Sequence, residues 1–222
     1  MKPFRIAIDG PAGAGKSTIA KLIAKELGID YIDTGAMYRA IALKLFRTGT
    51  DYNDPKALAE LLATTDVDYS AGKVYLDGED VSGLIRTQEV SEMASASSAV
   101  QAVRDKLVAL QQAMGERKSL VMDGRDIGTK VFPDAEIKFY VTASSRVRAK
   151  RRAEDMKAAG QPCDVDQIQK EIEARDYRDS HRANSPLTQL PEAVVIDTSR
   201  RGIKSTVELA LKAIREKGYV KE

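Results

Sequence analysis

An α/β architecture, a parallel sheet with crossover helices, is predicted by three features of the sequence: short apolar runs, helical patterns between them, and glycines closing those helices. The runs Phe4 to Ile8, Tyr31 to Ile32, Leu120 to Met122, Ile137 to Val141 and Val194 to Ile196 are bounded by turn residues and read as buried strands, so a five-stranded parallel sheet flanked by helices is expected. Ser17 to Leu27, closed by Gly28, and Ser145 to Ala159, closed by Gly160, read as helices with left-handed C-terminal caps. From Val67 to Val81 the rhythm changes. Val67-Asp68-Tyr69 and Val74-Tyr75-Leu76 alternate in polarity, with Ala71-Gly72 and Asp77-Gly78 as turn signals, so a small β-meander is expected as an insert in the α/β core. No repeat or Gly/Ser linker sets the insert apart, which ties it closely to the core.

The chain of 222 residues is long enough to bury a proper core. Lys and Arg total 35 against 33 for Asp and Glu, so no global field favours nucleic acid, and 5% aromatics with no Trp supply no stacking platform. Cys163 is alone, which excludes an internal disulfide and a multi-cysteine zinc site and fits a reducing compartment. Met1 to Ile8 carries neither the apolar run of a signal peptide nor a membrane span, and a soluble cytoplasmic protein is expected.

The segment Gly10-Pro11-Ala12-Gly13-Ala14-Gly15-Lys16-Ser17 matches G-x-x-x-x-G-K-[ST], after a strand and before a helix, the context that gives this motif meaning. Its glycines let backbone N–H groups turn inward around a phosphate, and the helix N-terminus adds the positive end of a dipole. Lys16 supplies charge for β- and γ-phosphates and Ser17 a hydroxyl for Mg²⁺. A guanine-reading N-K-x-D motif is missing, since Asn53 and Asn184 are followed by Asp54 and Ser185.

Arginines stand in unusual company. Asp33-Thr34-Gly35-Ala36-Met37-Tyr38-Arg39 follows the second strand and Asp123-Gly124-Arg125-Asp126 the third, at the carboxyl ends where open α/β sheets bind ligands. Arg175, Arg178 and Arg182 are spaced to share one helical face with Asp179, and three guanidiniums against one carboxylate invite a phosphate. Arg146, Arg148, Lys150, Arg151 and Arg152 crowd into seven residues. The bland alternatives stand beside these: a solvated basic face for Arg146 and Lys150, a tight turn with an ion pair for Asp-Gly-Arg-Asp, and an exposed helix position for His181.

Taken together, Ile8-Asp9-Gly10-Pro11 with its P-loop, Asp33 to Arg39, Leu76-Asp77-Gly78-Glu79-Asp80-Val81-Ser82 leading to Ile85-Arg86-Thr87, Asp123-Gly124-Arg125-Asp126-Ile127-Gly128-Thr129 and Arg175-Asp176-Tyr177-Arg178-Asp179 resemble, in order, the signature blocks of the bacterial cytidylate kinases. The resemblance implies a P-loop nucleoside monophosphate kinase fold and ATP-dependent conversion of CMP and dCMP to their diphosphates in pyrimidine metabolism. It implies one kinase domain over 1–222: a core (about 1–36 and 106–222), a monophosphate-binding region with the β-rich insert (about 37–105) and a short lid (about 149–167).

By the same resemblance, Gly10 through Ser17, Thr18 and Arg151 bind ATP, with Ser17 on Mg²⁺, and Lys16, Arg125, Arg178 and Arg182 act on the transferred phosphoryl group. Thr34, Arg39, Arg125 and Arg182 hold the CMP phosphate, Arg175 and Asp179 the ribose, and Ser95, Arg104 and Asp126 the base. Arg148 to Arg152 and Arg178 are expected in or beside the lid. Thr34 stands where the family usually has Ser, Ala12 where a serine is common, and Ser17 where some members have Gly. A monomer without nucleic-acid or membrane partners is expected. A different small-molecule P-loop kinase, such as one acting on shikimate, and a non-catalytic nucleotide or nucleic-acid binder are the competing readings.

Overall fold

Strand β1 (Arg5–Asp9) is buried at every residue, charged ends included, because it lies in the middle of a sheet covered on both faces. In this computed structural model, which describes residues 3–218, β1 is followed by α1 (Lys16–Leu27), β2 (Asp30–Asp33), α2 (Thr34–Thr48) and α3 (Pro55–Ala63). Next come β3 (Val67–Ser70), β4 (Lys73–Leu76), β5 (Glu79–Asp80), α4 (Gln88–Ser97), α5 (Gln101–Arg117) and β6 (Leu120–Gly124). A single π-helical turn, Ile127–Val131, leads to β7 (Ile137–Thr142), α6 (Ser145–Ala158), α7 (Val165–His181), β8 (Val194–Asp197) and α8 (Ile203–Glu216). The main sheet has the order β2-β6-β1-β7-β8, the five-stranded parallel sheet expected, each strand lying within two residues of its sequence-based limits. Parallel register runs from Ile6 opposite Ile137 to Asp9 opposite Tyr140, and from Phe139 opposite Val194 to Thr142 opposite Asp197.

The chain divides into two compact units, one spanning Asp30–Leu120 with the start of the chain, the other Arg5–Ile29 with the chain from Val121 onward. In the first, Asp33 caps α2 by accepting the Ala36 N–H at 2.9 Å. The expected meander is present as the antiparallel sheet β3-β4-β5, with Val67 opposite Leu76 and Tyr69 opposite Val74, so that one face carries Val67, Tyr69, Val74 and Leu76 into the core. Both its turns take left-handed pairs, Ala71-Gly72 (φ 50° and 78°) and Asp77-Gly78 (φ 51° and 84°), the twist that two-residue hairpins need.

In the second unit α1 ends on Gly28 in the left-handed region, as expected, and α6 stops at Ala158, one residue early, with Ala159 as its cap. The stretch 149–167, expected as a lid, lies within the hairpin of α6 and α7, which has its own small core: Ala149, Ala153, Ile168 and Ile172, with Met156, Cys163 and Val165 packed against them. Among the described residues no helix is long and apolar enough to cross a membrane. The chain ends of the expected 1–222 domain, residues 1–2 and 219–222, lie outside the described residues.

Candidate active site

The turn Gly10 to Gly15 joins the carboxyl end of β1 to the first residue of α1. Gly10 sits at φ 147°, where a Cβ would lie 1.9 Å from the Val141 carbonyl oxygen, so only glycine lets the chain leave β1 this close to β7. Three carbonyls of the turn accept hydrogen bonds from side chains. Pro11 accepts from Lys16 Nζ at 2.8 Å, Ala12 from Arg148 Nη1 at 3.1 Å, and Ala14 from the Thr198 hydroxyl at 3.0 Å. With its carbonyls occupied behind it, the turn keeps one conformation, which is what presenting N–H groups to a phosphate requires.

Lys16 is buried, and its ammonium is pushed down to about 7, first by burial and then by the Arg125 and Arg175 guanidiniums, while Asp123 and Asp9 pull it back up. The Ser17 hydroxyl donates to Asp123 Oδ2 at 3.0 Å, and Asp123 is buried near the end of β6. A hydroxyl after the P-loop lysine beside a carboxylate at a neighbouring strand end is the oxygen set that P-loop enzymes offer to Mg²⁺. Among the described residues no group of three or more His, Cys, Asp or Glu side chains is placed to hold a metal ion.

Beyond β6, Arg125 Nε donates to Asp179 Oδ2 at 2.9 Å, and Arg182 Nη2 stands 3.8 Å from Asp126 Oδ1, with Asp126 buried. Arg175 and Asp179 are half-buried on α7, whereas Arg178 is exposed. The expected shared helical face is corrected at one residue: α7 ends at His181, and Arg182 follows it in extended conformation (φ −63°, ψ 143°) as its C-terminal cap, with Nε donating to the Ser185 carbonyl at 2.7 Å. Thus Arg182 reaches Asp126 from a loop.

The Arg148 to Arg152 cluster also separates. Arg148 belongs to the scaffold, buried and donating to the Ala143 and Ala12 carbonyls and, through both terminal nitrogens, to the Asp176 carboxylate. Arg151 is half-buried and donates to the Thr198 hydroxyl at 3.1 Å and carbonyl at 2.8 Å, so one threonine links it to the P-loop. Arg146, Lys150 and Arg152 are exposed, the solvated face weighed above, and Thr18 is exposed on the first turn of α1. His181 is exposed and stacked on Tyr177, with ring centroids 4.0 Å apart.

In the other unit Thr34 is buried at the start of α2. Arg39, one turn later, approaches Asp33 at 3.5 Å, and its Nε is buried without a hydrogen-bond partner. Arg104 is buried on α5, donates to the Ser98 carbonyl at 3.2 Å and lies over the Tyr38 ring; Ser95 is half-buried on α4.

Sequence reasoning missed Asp9, the pairing of Asp123 with Ser17, and the Arg148–Asp176 brace. The first two carried a signal, a carboxylate directly following each of the apolar runs Phe4 to Ile8 and Leu120 to Met122. The third carried none, because its partners lie 28 and 136 positions from Arg148.

The family model described as Cytidylate kinase matches residues 6–216. The cytidylate kinase of Pelotomaculum thermopropionicum is 50% identical over 209 residues, covering 92% of this chain and 92% of that protein. That of Lactobacillus johnsonii is 46% identical over 218 residues, covering 96% and 95%. A shikimate kinase from Acinetobacter baumannii, solved with shikimate, shares the fold at 15% identity and a TM-score of 0.50, covering 99% of this chain and 96% of that one. The sequence blocks, the braced P-loop after a central strand and the match along nearly the whole chain lead to one conclusion: the chain belongs to the cytidylate kinase family.

Proposed function

We propose that this protein transfers the γ-phosphoryl group of ATP to CMP and dCMP, giving ADP and the cytidine diphosphates. The observation that carries the reading is the set of cations at the carboxyl ends of β1 and β6, Lys16 after the phosphate turn, Arg125 held by Asp179 and Arg182 near Asp126, with the Lys16 ammonium pushed down first by burial and then by Arg125 and Arg175. Cations held together against their own repulsion are stabilised by polyanions, and two phosphate-bearing substrates supply them.

The attacking atom on CMP is a phosphate oxygen that is already anionic, so the reaction needs no general base, and catalysis is positioning plus charge neutralisation. That agrees with a site rich in arginine, a histidine stacked on the surface and a cysteine in the hairpin core. In our proposal the residues from Gly10 to Thr18 hold the ATP phosphates, Lys16 follows the transferred group, and Arg125, Arg178 and Arg182 neutralise charge developing on it. Arg151 steadies the ATP side through Thr198. Ser17 and Asp123 would hold Mg²⁺, which would offset negative charge on the phosphates.

For the acceptor, Arg125, Arg182, Arg39 and Thr34 take the phosphate, Arg175 and Asp179 the ribose, and Ser95, Arg104 and Asp126 the base. Cytosine presents an amino group at C4 where uracil presents an oxygen, so the Asp126 carboxylate accepts from one and repels the other. The functional division into core, monophosphate-binding region and lid belongs to the same proposal, as do a cytoplasmic location, a monomer and the absence of a nucleic-acid partner.

A coupled assay of ADP release with CMP, dCMP, UMP, AMP and shikimate in parallel tests this. Turnover with CMP and dCMP well above the others is expected. Turnover of shikimate or AMP in preference to CMP would overturn the substrate assignment, and light scattering during gel filtration checks the monomer.

A further inference from the structure

We propose that Asp9 is a positioning residue, fixing the turn that carries Arg125 and Asp126 to the strand that enters the P-loop; this deepens the substrate reading above and rests on it. Asp9 ends β1, and the next residue is Gly10 of the phosphate turn. Its carboxylate is buried, with Oδ1 accepting the Ile127 N–H at 2.8 Å and Oδ2 the Gly128 N–H at 2.7 Å. These two N–H groups open the π-helical turn, where the first donors of a helix lack partners within it, and Asp126 and Arg125 immediately precede them. One rigid side chain therefore sets the P-loop entrance and the arginine-bearing turn in a single register. Gly128 makes room for this contact, since a Cβ there would meet Asp9 Oδ2 and Lys138 Cδ at 3.2 Å and Leu190 Cδ1 at 3.3 Å.

A carboxylate is an expensive way to hold a turn if holding it is all that is needed. The charged groups around Asp9 are Lys16 on α1, which favours its ionised form, and Asp126, which opposes it; Tyr140 lies opposite on β7. Burial, the largest influence, pushes the Asp9 carboxyl up to about 6, against the two N–H donors that hold it down. At neutral pH the anion persists because both oxygens are needed as acceptors. Protonation would turn one oxygen into a donor facing an N–H, breaking one of the two bonds and loosening the turn. Such a carboxylate serves geometry at the acceptor site, and an error of about 1 Å in placement there costs on the order of a hundredfold in rate.

The experiment compares wild type with Asp9→Asn and Asp9→Glu, measuring kcat and KM for CMP and ATP from pH 5 to 8 and taking the variant to wild-type ratio at each pH. Phosphates of CMP and ATP titrate in this interval in every enzyme, and the ratio removes them. For Asp9→Asn we expect kcat/KM for CMP to fall roughly tenfold to a hundredfold at pH 7.5, KM for ATP to stay within about threefold, and the deficit to shrink towards pH 5, where wild-type Asp9 is protonated too. Asp9→Glu, which keeps the charge but moves it, should restore less than half of the loss. A ratio that is flat in pH, or equal losses on both substrates, overturns the proposal.

The wild-type enzyme provides a second readout that does not depend on variants folding. The Ile127 and Gly128 amide proton resonances should titrate together with a midpoint near 6, and pH-independent resonances overturn the proposal. If wild type fails to phosphorylate CMP, the substrate reading falls, and the amide titration still decides whether Asp9 holds the turn.

Discussion

The β-meander and the P-loop surroundings both rely on ion pairs, yet the two regions use them differently. On the meander, Arg47 meets Glu79, Lys44 meets Asp77 and Lys73 meets Asp80, pairs whose carboxylates are 35–50% exposed. Around the phosphate turn the Arg148 side chain is 5% exposed and Arg125 19%, and their partners Asp176 and Asp179 are 27% and 16% exposed. Exposed pairs are screened and contribute little, whereas a buried guanidinium whose partner is removed remains as an uncompensated charge. The difference teaches where geometry matters: the surface pairs fasten a hairpin already specified by its turns and apolar face, and the buried ones hold the groups around the phosphate turn in place.

The sharpest way to break the comparison is at Lys16. Lys16→Ala should cost on the order of a hundred- to a thousandfold in kcat, the magnitude seen when a preorganised charge at a transition state is removed. Removing that buried, destabilised charge offsets the loss of its bond to the Pro11 carbonyl, so the melting temperature should change little. Activity retained at a near-normal level would sink the P-loop assignment.

Next in size, Arg148→Met should lower stability by about 3 kcal/mol, leaving Asp176 without its partner and the Ala12 carbonyl without a donor, and should raise KM for ATP more than KM for CMP. Chemical denaturation with steady-state kinetics checks both, and an unchanged ATP KM would reduce Arg148 to a scaffold ion pair.

A smaller effect is expected at Asp126. Asp126→Ala should lower kcat/KM for CMP by about 1–3 kcal/mol, roughly tenfold to a hundredfold, while UMP loses far less, so that discrimination collapses. If the contact with Arg182 were the whole role of Asp126, both substrates would lose activity in proportion and their ratio would hold.

Asp9 adds a stability signature. Its folded-state carboxyl titrates near 6 against an ordinary 3.8, so the folded state binds more protons than the unfolded one between these values. That contribution is fully present below pH 4 and lost as pH rises through 6, an amount on the order of 2–3 kcal/mol. Asp9→Asn should flatten this part of the pH dependence of the denaturation free energy, measured relative to wild type. The smallest effect belongs to the meander: Glu79→Ala should leave kcat unchanged and shift the thermal midpoint only at low salt.

The strands, the meander and the P-loop were legible because each is specified locally. A short apolar run bounded by turn residues, a two-residue turn with Gly at its second position, or a glycine-rich loop ahead of a helix announces itself within ten positions. Arg182 was misplaced because periodicity continues past the point where α7 stops, and nothing in the spacing marks His181 as its last residue. The π-helical turn at Ile127 to Val131 was invisible for a different reason, since it is held from outside by Asp9, 118 positions away. Arg148 looked like one member of a basic cluster, and only the fold reveals that its neighbours Lys150 and Arg152 point to solvent while it does not.

The Thr198 hydroxyl closes a chain loop of 184 residues when it reaches the Ala14 carbonyl. Contacts of such sequence separation form after the local ones, because the ordering of the intervening chain must come first. A P-loop made within the first 17 residues therefore acquires its full support only when the strand preceding Thr198 has docked. During synthesis the nucleotide grip emerges well before the strand that completes its support. In refolding experiments, recovery of turnover should consequently follow the slowest structural phase, after helical signal has returned; a chain that phosphorylates CMP has already docked β8 at the edge of its sheet.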